Sequence, residues 1–329
     1  MVHETEVALH ARPGPKVRER KASWAEDATP GAAGSGEGTV DGGEEDDASS
    51  MLRCIGLPVA FGGGAKKRRR ERKRRREESE QAEVAGCGRR PPDGMREGEP
   101  LSRYWRQRYL LWSRFDEGVG MDAEGWWSVT PERVASHQAR RMGEGVSAAR
   151  SKVVVDAFCG CGGNAVQLAQ VFGLVVAVDT SPERLALARA NAALYGVDAR
   201  IDFVLGDCRD VLRGLRDRGA PVDACFLSPP WGGPAYLAAE GGCYDVRVGL
   251  GDALGCGPGG VAQLLRACLE ATPNVALFLP RNTDMGALAG LLGDAGVTEA
   301  EVEACALNGR PKALTVYTGA LVAQLISCL

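Results

Sequence analysis

The sequence predicts an α/β fold: a seven-stranded, mainly parallel sheet covered by helices on both faces, preceded by a small N-terminal helical extension. Three observations predict it. From Lys152 onward, short apolar runs alternate with segments of helical character, the pattern of parallel strands buried on both faces. The first of those runs enters a glycine-rich turn, DAFCGCGGN at 156–164. Nearly all the low-complexity sequence of the 329-residue chain lies before residue 100.

Taken in order, residues 1–100 form the leader. Positions 1–50 are rich in Gly, Ala, Glu and Asp, with few aromatics, and end in the acidic stretch Glu44–Asp47. Such composition cannot bury enough apolar surface to offset ordering entropy, so the leader is expected to be disordered. Within it, KKRRRERKRRR at 66–76 places ten basic residues in eleven positions. Unbroken like charge disfavours a merely structural use and points to a nuclear-localisation signal or an RNA-binding arm. Residues 101–150 read as a helical cap containing Trp105, Tyr109, Trp112, Trp126 and Trp127, some packing on the sheet and Trp126 or Trp127 bordering a pocket.

Residues 151–329 carry the sheet. Strands are expected at Val153–Phe158, Leu174–Val178, Ile201–Leu205, Val222–Leu227 and Val275–Leu279, with helices at Asn164–Phe172, Pro182–Tyr195, Arg209–Arg218 and Asp284–Leu292. The helix at Pro182 has Ser181 as N-cap, proline at its first position and Gly196 just past its end. Val302–Leu307 and Ala313–Tyr317 are expected to close the sheet as an antiparallel hairpin at its edge.

Composition narrows the chemistry. Residues 101–329 hold 21 Lys+Arg against 24 Asp+Glu, so the folded part is not globally basic and any nucleic-acid contact needs a local patch. The eleven cysteines form no CxxC pair and there are only three histidines, which leaves no ligand set for a zinc cluster; no metal is expected. Cys225, Cys268 and Cys305 sit in apolar runs and read as reduced structural thiols. No signal peptide and no membrane-length apolar stretch is visible, so no membrane partner is expected. His137, in a polar helical stretch, reads as an ordinary surface residue.

A glycine-rich strand-to-helix turn lets backbone approach a ligand, though alone it suits many nucleotide-binding proteins. Asp179 ends the second strand, where a carboxylate can accept both ribose hydroxyls, and Asp207 ends the third, where it can meet an adenine amine. No Walker-type lysine follows the glycines. These strand ends favour an adenosyl cofactor, and seven strands fit a class I, Rossmann-like methyltransferase better than a six-stranded dinucleotide fold. The fourth strand ends in Ser228-Pro229-Pro230-Trp231. Consecutive prolines stiffen the backbone and expose carbonyls that can accept from a target amine, while the indole can stack on the base bearing it. Transfer from a sulfonium methyl is direct displacement, which needs positioning more than acid–base groups.

The blocks YWRQRYLLWSRFDEGVGMDAEGWWSVTPE (104–132), VVDAFCGCGGN (154–164), ALARANAALYG (186–196), FLSPPWGGPAY (226–236) and FLPRN (278–282) resemble the trimethylguanosine synthase family over roughly residues 102–320. The first block lies outside the generic methyltransferase core and sets this family apart. The resemblance implies S-adenosyl-L-methionine as cofactor and the position-2 amine of a 7-methylguanosine cap as target, on small nuclear and nucleolar RNAs. It implies that Asp156, Gly160, Asp179 and Asp207 hold the cofactor, with Ser128, Thr130 and Asn191 as auxiliary contacts. Ser228 and Pro229 would position the amine and Trp231 would stack on the base. Tyr236, Arg281, Asn282 and Lys312 would meet the cap. Gly120 departs from the pattern, standing where the family often has a phosphate-contacting lysine, and Gly255–Gly260 is a glycine-rich variation of unassigned role. The implied partners are capped small RNA and snRNP or snoRNP proteins. A monomer is expected, in the nucleus (nucleolus or Cajal body included) and partly in the cytoplasm. Two other readings stay open: an amino-methyltransferase acting on adenine or a protein amide, and a non-catalytic RNA-binding scaffold.

Overall fold

The structure, a computed structural model, describes residues 15–21, 91–92, 94–99, 102–233, 242–307 and 310–322. The basic run at 66–76 and Tyr236 lie outside the described residues. Eight strands form one sheet: β1 (Lys16–Lys21), β2 (Val153–Asp156), β3 (Leu174–Asp179), β4 (Ile201–Leu205), β5 (Ala224–Leu227), β6 (Val275–Pro280), β7 (Glu299–Leu307) and β8 (Arg310–Thr318). Their order is β1-β7-β8-β6-β5-β2-β3-β4. Every pairing is parallel except those of β8 with β6 and β7. The seven expected strands are present. The closing hairpin is not itself the edge, because β8 inserts between β6 and β7 and a further strand covers β7.

That further strand corrects the reading of the leader as disordered throughout. β1 pairs in register with β7 from Lys16 opposite Glu299 to Lys21 opposite Ala304. Its sequence KVRERK offers one apolar residue, Val17, which packs on the core, and an exposed Arg18–Glu299 ion pair at 2.5 Å. Backbone pairing rather than hydrophobic periodicity holds it, so its sequence shows no strand pattern. Met95, also assigned to the leader, is buried in the main core.

Ten α-helices are described: α1 (Ser102–Arg106), α2 (Arg108–Leu111), α3 (Gly125–Ser128), α4 (Glu132–Gly145), α5 (Gly163–Val171), α6 (Pro182–Leu194), α7 (Cys208–Asp217), α8 (Val246–Ala253), α9 (Gly257–Ala271) and α10 (Met285–Asp294). Side-chain caps fix several starts: Ser181 accepts from Arg184 N at 3.2 Å on α6, and Asp284 accepts from Ala287 N at 2.7 Å on α10. Alternate strand residues feed two cores, as the pleat requires. Val154, Phe226 and Phe278 pack with α4–α6 on one face; Val155, Cys225 and Leu277 pack with α7–α10 on the other. Trp112, Phe115, Val119 and Trp126 belong to the first core, so the stretch 101–150 shares its interior with the sheet.

The joint between α4 and the sheet is polar and buried. His137 Nε2 lies 2.9 Å from Glu303 Oε2, Arg141 donates to Glu301 Oε2 at 2.9 Å, and Gln138 donates to Thr315 Oγ1 at 2.9 Å. Burial pushes the Glu303 carboxyl up, but His137, Tyr317 and Arg141 more than offset it and hold it below the usual carboxylate range. His137 is therefore not an ordinary surface residue: it half-buries itself to satisfy a core carboxylate.

Candidate active site

A cavity of about 690 Å³ opens at the carboxyl ends of the central strands, the place where ligands enter open α/β sheets. Its floor is the turn after β2, where Gly160 (φ +53°) and Gly162 (φ +93°) adopt left-handed backbone. A Cβ at Gly162 would come within 3.1 Å of Ala188, whereas the space beyond Gly160 is open. Glycine is thus required at the first for close packing and leaves room at the second for a ligand to approach backbone. Asp179, at the end of β3, closes the turn: its Oδ2 accepts from Gly160 N and its Oδ1 from Ser181 N, each at 2.9 Å.

Asp207 lines the same cavity and caps α7, accepting from Arg209 N at 2.8 Å. Arg209 also grips it with two side-chain bonds at 3.0 and 2.6 Å, and these hold the carboxyl below its ordinary range. A carboxylate offers about four acceptor sites, so both acids retain capacity for a ligand hydroxyl or amine. Ser128, the last residue of α3, and Thr130, just after it, line the same cavity.

The turn after β5 carries Ser228, Pro229 and Trp231 onto the opposite wall. Trp231 is fixed on three sides. Its Nε1 donates to Phe278 O at 3.2 Å, its ring lies 5.2 Å from that of Phe278, and Tyr244 OH donates to its carbonyl at 3.4 Å. Gly232 and Gly233 follow with φ of +87° and +70°, and Trp127 Nε1 would be 3.9 Å from a Cβ on Gly233. Two indoles therefore border one end of the cavity. Arg281 and Lys312 line it from the ends of β6 and β8.

Three expected contacts lie elsewhere. Asp156 is fully buried behind the turn and is not part of the cavity wall; neither carboxylate oxygen has a hydrogen-bond partner within bonding geometry. Burial pushes its carboxyl up to about 7, with the amides of Phe158 and Ala165 offsetting only part of that. Asn191, also fully buried, is a staple instead of a cofactor contact: it accepts from Gly120 N at 2.9 Å and donates to Gly120 O at 2.9 Å and Cys161 O at 2.8 Å. Its side chain ties the loop before α3 to the glycine-rich turn. The same contacts show why Gly120 hosts no phosphate-binding side chain here: it is buried, and a Cβ would meet Leu187 at 2.7 Å. Asn282 sits off the wall, donating to Gly242 O at 3.2 Å.

Other wall residues had no sequence signal. Arg103, Tyr104 and Gln107 arrive from the helical extension, and Leu254 and Cys256 from the junction of α8 and α9. Gly255 and Gly257 shape that junction with φ of +62° and +65°, and a Cβ on Gly251 would strike the Gly257 backbone at 2.5 Å. The glycine-rich variation at 255–260 is thus what lets two helices meet backbone to backbone.

A parallel sheet into which one antiparallel strand, β8, inserts between β6 and β7, and a ligand cavity whose acids stand at the ends of successive strands, is the class I arrangement of S-adenosylmethionine-dependent methyltransferases. The cofactor fits these residues: open space over Gly160 admits its backbone-facing part, and Asp179 and Asp207 offer acceptors for ribose and adenine. Within that class the particular family is shown directly. The family model described as RNA cap guanine-N2 methyltransferase matches residues 151–321, and the chain belongs to that family. The trimethylguanosine synthase of Schizosaccharomyces pombe is 37% identical over 190 residues, covering 57% of this chain and 74% of that protein. The Saccharomyces cerevisiae trimethylguanosine synthase is 38% identical over 189 residues, 57% of each protein. Among solved structures, a putative methyltransferase from Porphyromonas gingivalis is similar at a TM-score of 0.49 with 17% identity, covering 76% of this chain and 59% of that one.

Proposed function

We propose that this chain methylates the position-2 amine of a 7-methylguanosine RNA cap, giving 2,2,7-trimethylguanosine. The observation that carries this reading is the meeting, in one cavity, of the glycine-rich turn and Asp179 with the Ser228–Trp231 turn and its fixed indole. When bound, S-adenosylmethionine supplies an electrophilic methyl. The residues of this chain do the rest by placement. The backbone carbonyls of the Ser-Pro-Pro turn accept from the amine and orient its lone pair, while Trp231, locked by Phe278 and Tyr244, offers a flat face to the base. A 7-methylated guanine is cationic, and a desolvated indole attracts such a ring by roughly 0.5–2 kcal/mol. Family membership and the likeness to the two yeast trimethylguanosine synthases support the reading; neither the adenine or protein-amide alternative nor the scaffold alternative gains support.

The test is transfer of label from S-adenosylmethionine to a 7-methylated and an unmethylated cap analogue, with Trp231→Ala alongside. Transfer confined to the 7-methylated cap and lost in the variant is the expected result. Equal transfer to both caps would refute recognition of the charged base. The further reading is that the substrates are small nuclear and nucleolar RNAs, met in the nucleus as a monomer recruited by snRNP or snoRNP proteins. The basic run at 66–76 motivates it. A reporter fused to residues 60–80 that stays uniformly cytoplasmic would sink the nuclear assignment.

A further inference from the structure

The glycine-rich turn is held from two sides. Asn191 ties it to the Gly120 loop on one side, and Gln138 of α4 holds it on the other. Gln138 is fully buried, stands outside the cavity wall, and spends both ends of its amide on protein. Its Nε2 donates to Thr315 Oγ1 on β8 at 2.9 Å, and its Oε1 accepts from Asn164 Nδ2 at 2.8 Å. Asn164 is the second residue of α5, directly after the turn, and it lines the cavity.

An amide has two unlike ends, so whatever binds one decides what the other presents. Thr315 sets which end of Gln138 meets α5, and Gln138 sets which end of Asn164 is consumed. The Asn164 nitrogen is the one consumed, which leaves the oxygen. That Oδ1 has no partner among the described residues and is not sealed, in contrast to both oxygens of Asp156 behind the same turn. It is a fixed acceptor at the cavity wall.

The order of the strands says which donor it suits. Along β4-β3-β2-β5 the cavity presents Asp207, Asp179, the turn with Asn164, and then Ser228–Trp231. With adenine and ribose taken by the two acids and the methyl delivered beside Ser228, the amino-acid end of the methyl donor is left for the turn. The hydrogen-bond donors at that end are the N–H groups of its α-ammonium, which an amide oxygen accepts and to which an amide nitrogen offers nothing.

We propose that Gln138 is a positioning residue for the cofactor: through the Thr315–Gln138–Asn164 chain it holds Asn164 Oδ1 towards the α-ammonium of S-adenosylmethionine. This role rests on the cofactor alone and holds whichever base receives the methyl. It makes a buried side chain on the far side of α5 a determinant of cofactor affinity, without contact between the two.

The test is calorimetric titration of the full chain with S-adenosylhomocysteine and with 5′-methylthioadenosine, which keeps adenine, ribose and sulfur but has no ammonium. Gln138→Met, similar in volume but unable to orient the Asn164 amide, should lose about tenfold on S-adenosylhomocysteine, the size of one hydrogen bond to a charged group. Its affinity for methylthioadenosine should hold, which also shows the variant folded. Gln138→Glu presents an oxygen to Asn164 Nδ2 in either protonation state and should recover most of the loss. Asn164→Ala should show the loss by itself, and adding Gln138→Met to it should cost nothing further. Equal weakening on both ligands would overturn the proposal and make Gln138 a core prop. Losses that add in the double variant would overturn it too, as would unchanged S-adenosylhomocysteine affinity in Gln138→Met or in Asn164→Ala.

Discussion

Replacing Asn191 by alanine should destabilise the fold far more than it weakens the cofactor site. The side chain is fully buried and makes three bonds of 2.8–2.9 Å, one accepted from Gly120 N and two donated to the carbonyls of Gly120 and Cys161. Alanine strands the Gly120 N–H and removes one partner from each carbonyl. An unsatisfied buried group costs roughly 1–3 kcal/mol, the donor more reliably than a carbonyl, so a total of about 3–5 kcal/mol is expected. Against a typical stability of about 5–15 kcal/mol this is a large fraction, and it should lower the melting temperature by roughly 10 °C. Urea unfolding of parent, Asn191→Ala and Asn191→Asp gives the free energies. The aspartate keeps only the accepted bond, so it should sit near the alanine variant. Calorimetric titration with S-adenosylmethionine, run cold enough for the variant to be folded, gives the affinity. Unfolding free energies within about 1 kcal/mol of the parent, combined with a collapse of cofactor affinity, would refute the staple and restore a direct ligand contact.

Other outcomes follow from the same structure. Asp156 is buried with a folded pKa of about 7, above its ordinary value of 3.8, so the native state holds the proton that the unfolded chain releases; stability present below pH 4 should be lost as pH rises towards 7. The unfolding free energy of Asp156→Asn minus that of the parent should therefore grow across that window and level off above it, as denaturant melts at several pH values would show. Gly162→Ala forces a side chain into left-handed backbone against Ala188 and should cost about 1–3 kcal/mol, read as a shifted urea midpoint. Deleting residues 1–21 removes, among the described residues, Val17 from the edge of the core and should move the melting temperature by only a few degrees. It also bares the edge of β7, so light scattering should reveal concentration-dependent association that the parent lacks.

The sheet was legible because its strands are apolar on both faces, a pattern that needs no knowledge of neighbours: Val153–Asp156 and Ala224–Leu227 are buried along their whole length. β1 was illegible for the opposite reason, since a strand held by its partner's backbone leaves no trace in side-chain alternation. In the site, the residues at strand ends, Asp179, Asp207 and Ser228–Trp231, fell where topology alone directs them. Asn191 and Asn282 did not. An amide on a helix or loop can turn to a ligand or to a distant backbone, and only the position of the Gly120 loop or of Gly242 decides which. Asp156 shares this ambiguity, because one residue along a strand separates a side chain at its open end from one sealed behind the turn. Arg103 was silent since a cation on a short polar helix looks solvated until its aromatic neighbours are placed.

The pairing of Lys16 with Glu299 also sets an order of events during synthesis. At the usual pace of translation, β7 leaves the ribosome on the order of ten to sixty seconds after β1. Until then β1 has no partner, and its single valine cannot hold it anywhere else. The strand nearest the start of the given sequence therefore cannot join the sheet before β7 is made, and its place is beside a strand that reaches β6 only through β8. An early segment of the chain serves as a late seal, and a nascent chain halted before residue 299 would carry it as an unpaired basic ribbon, open to proteases that the finished molecule resists there.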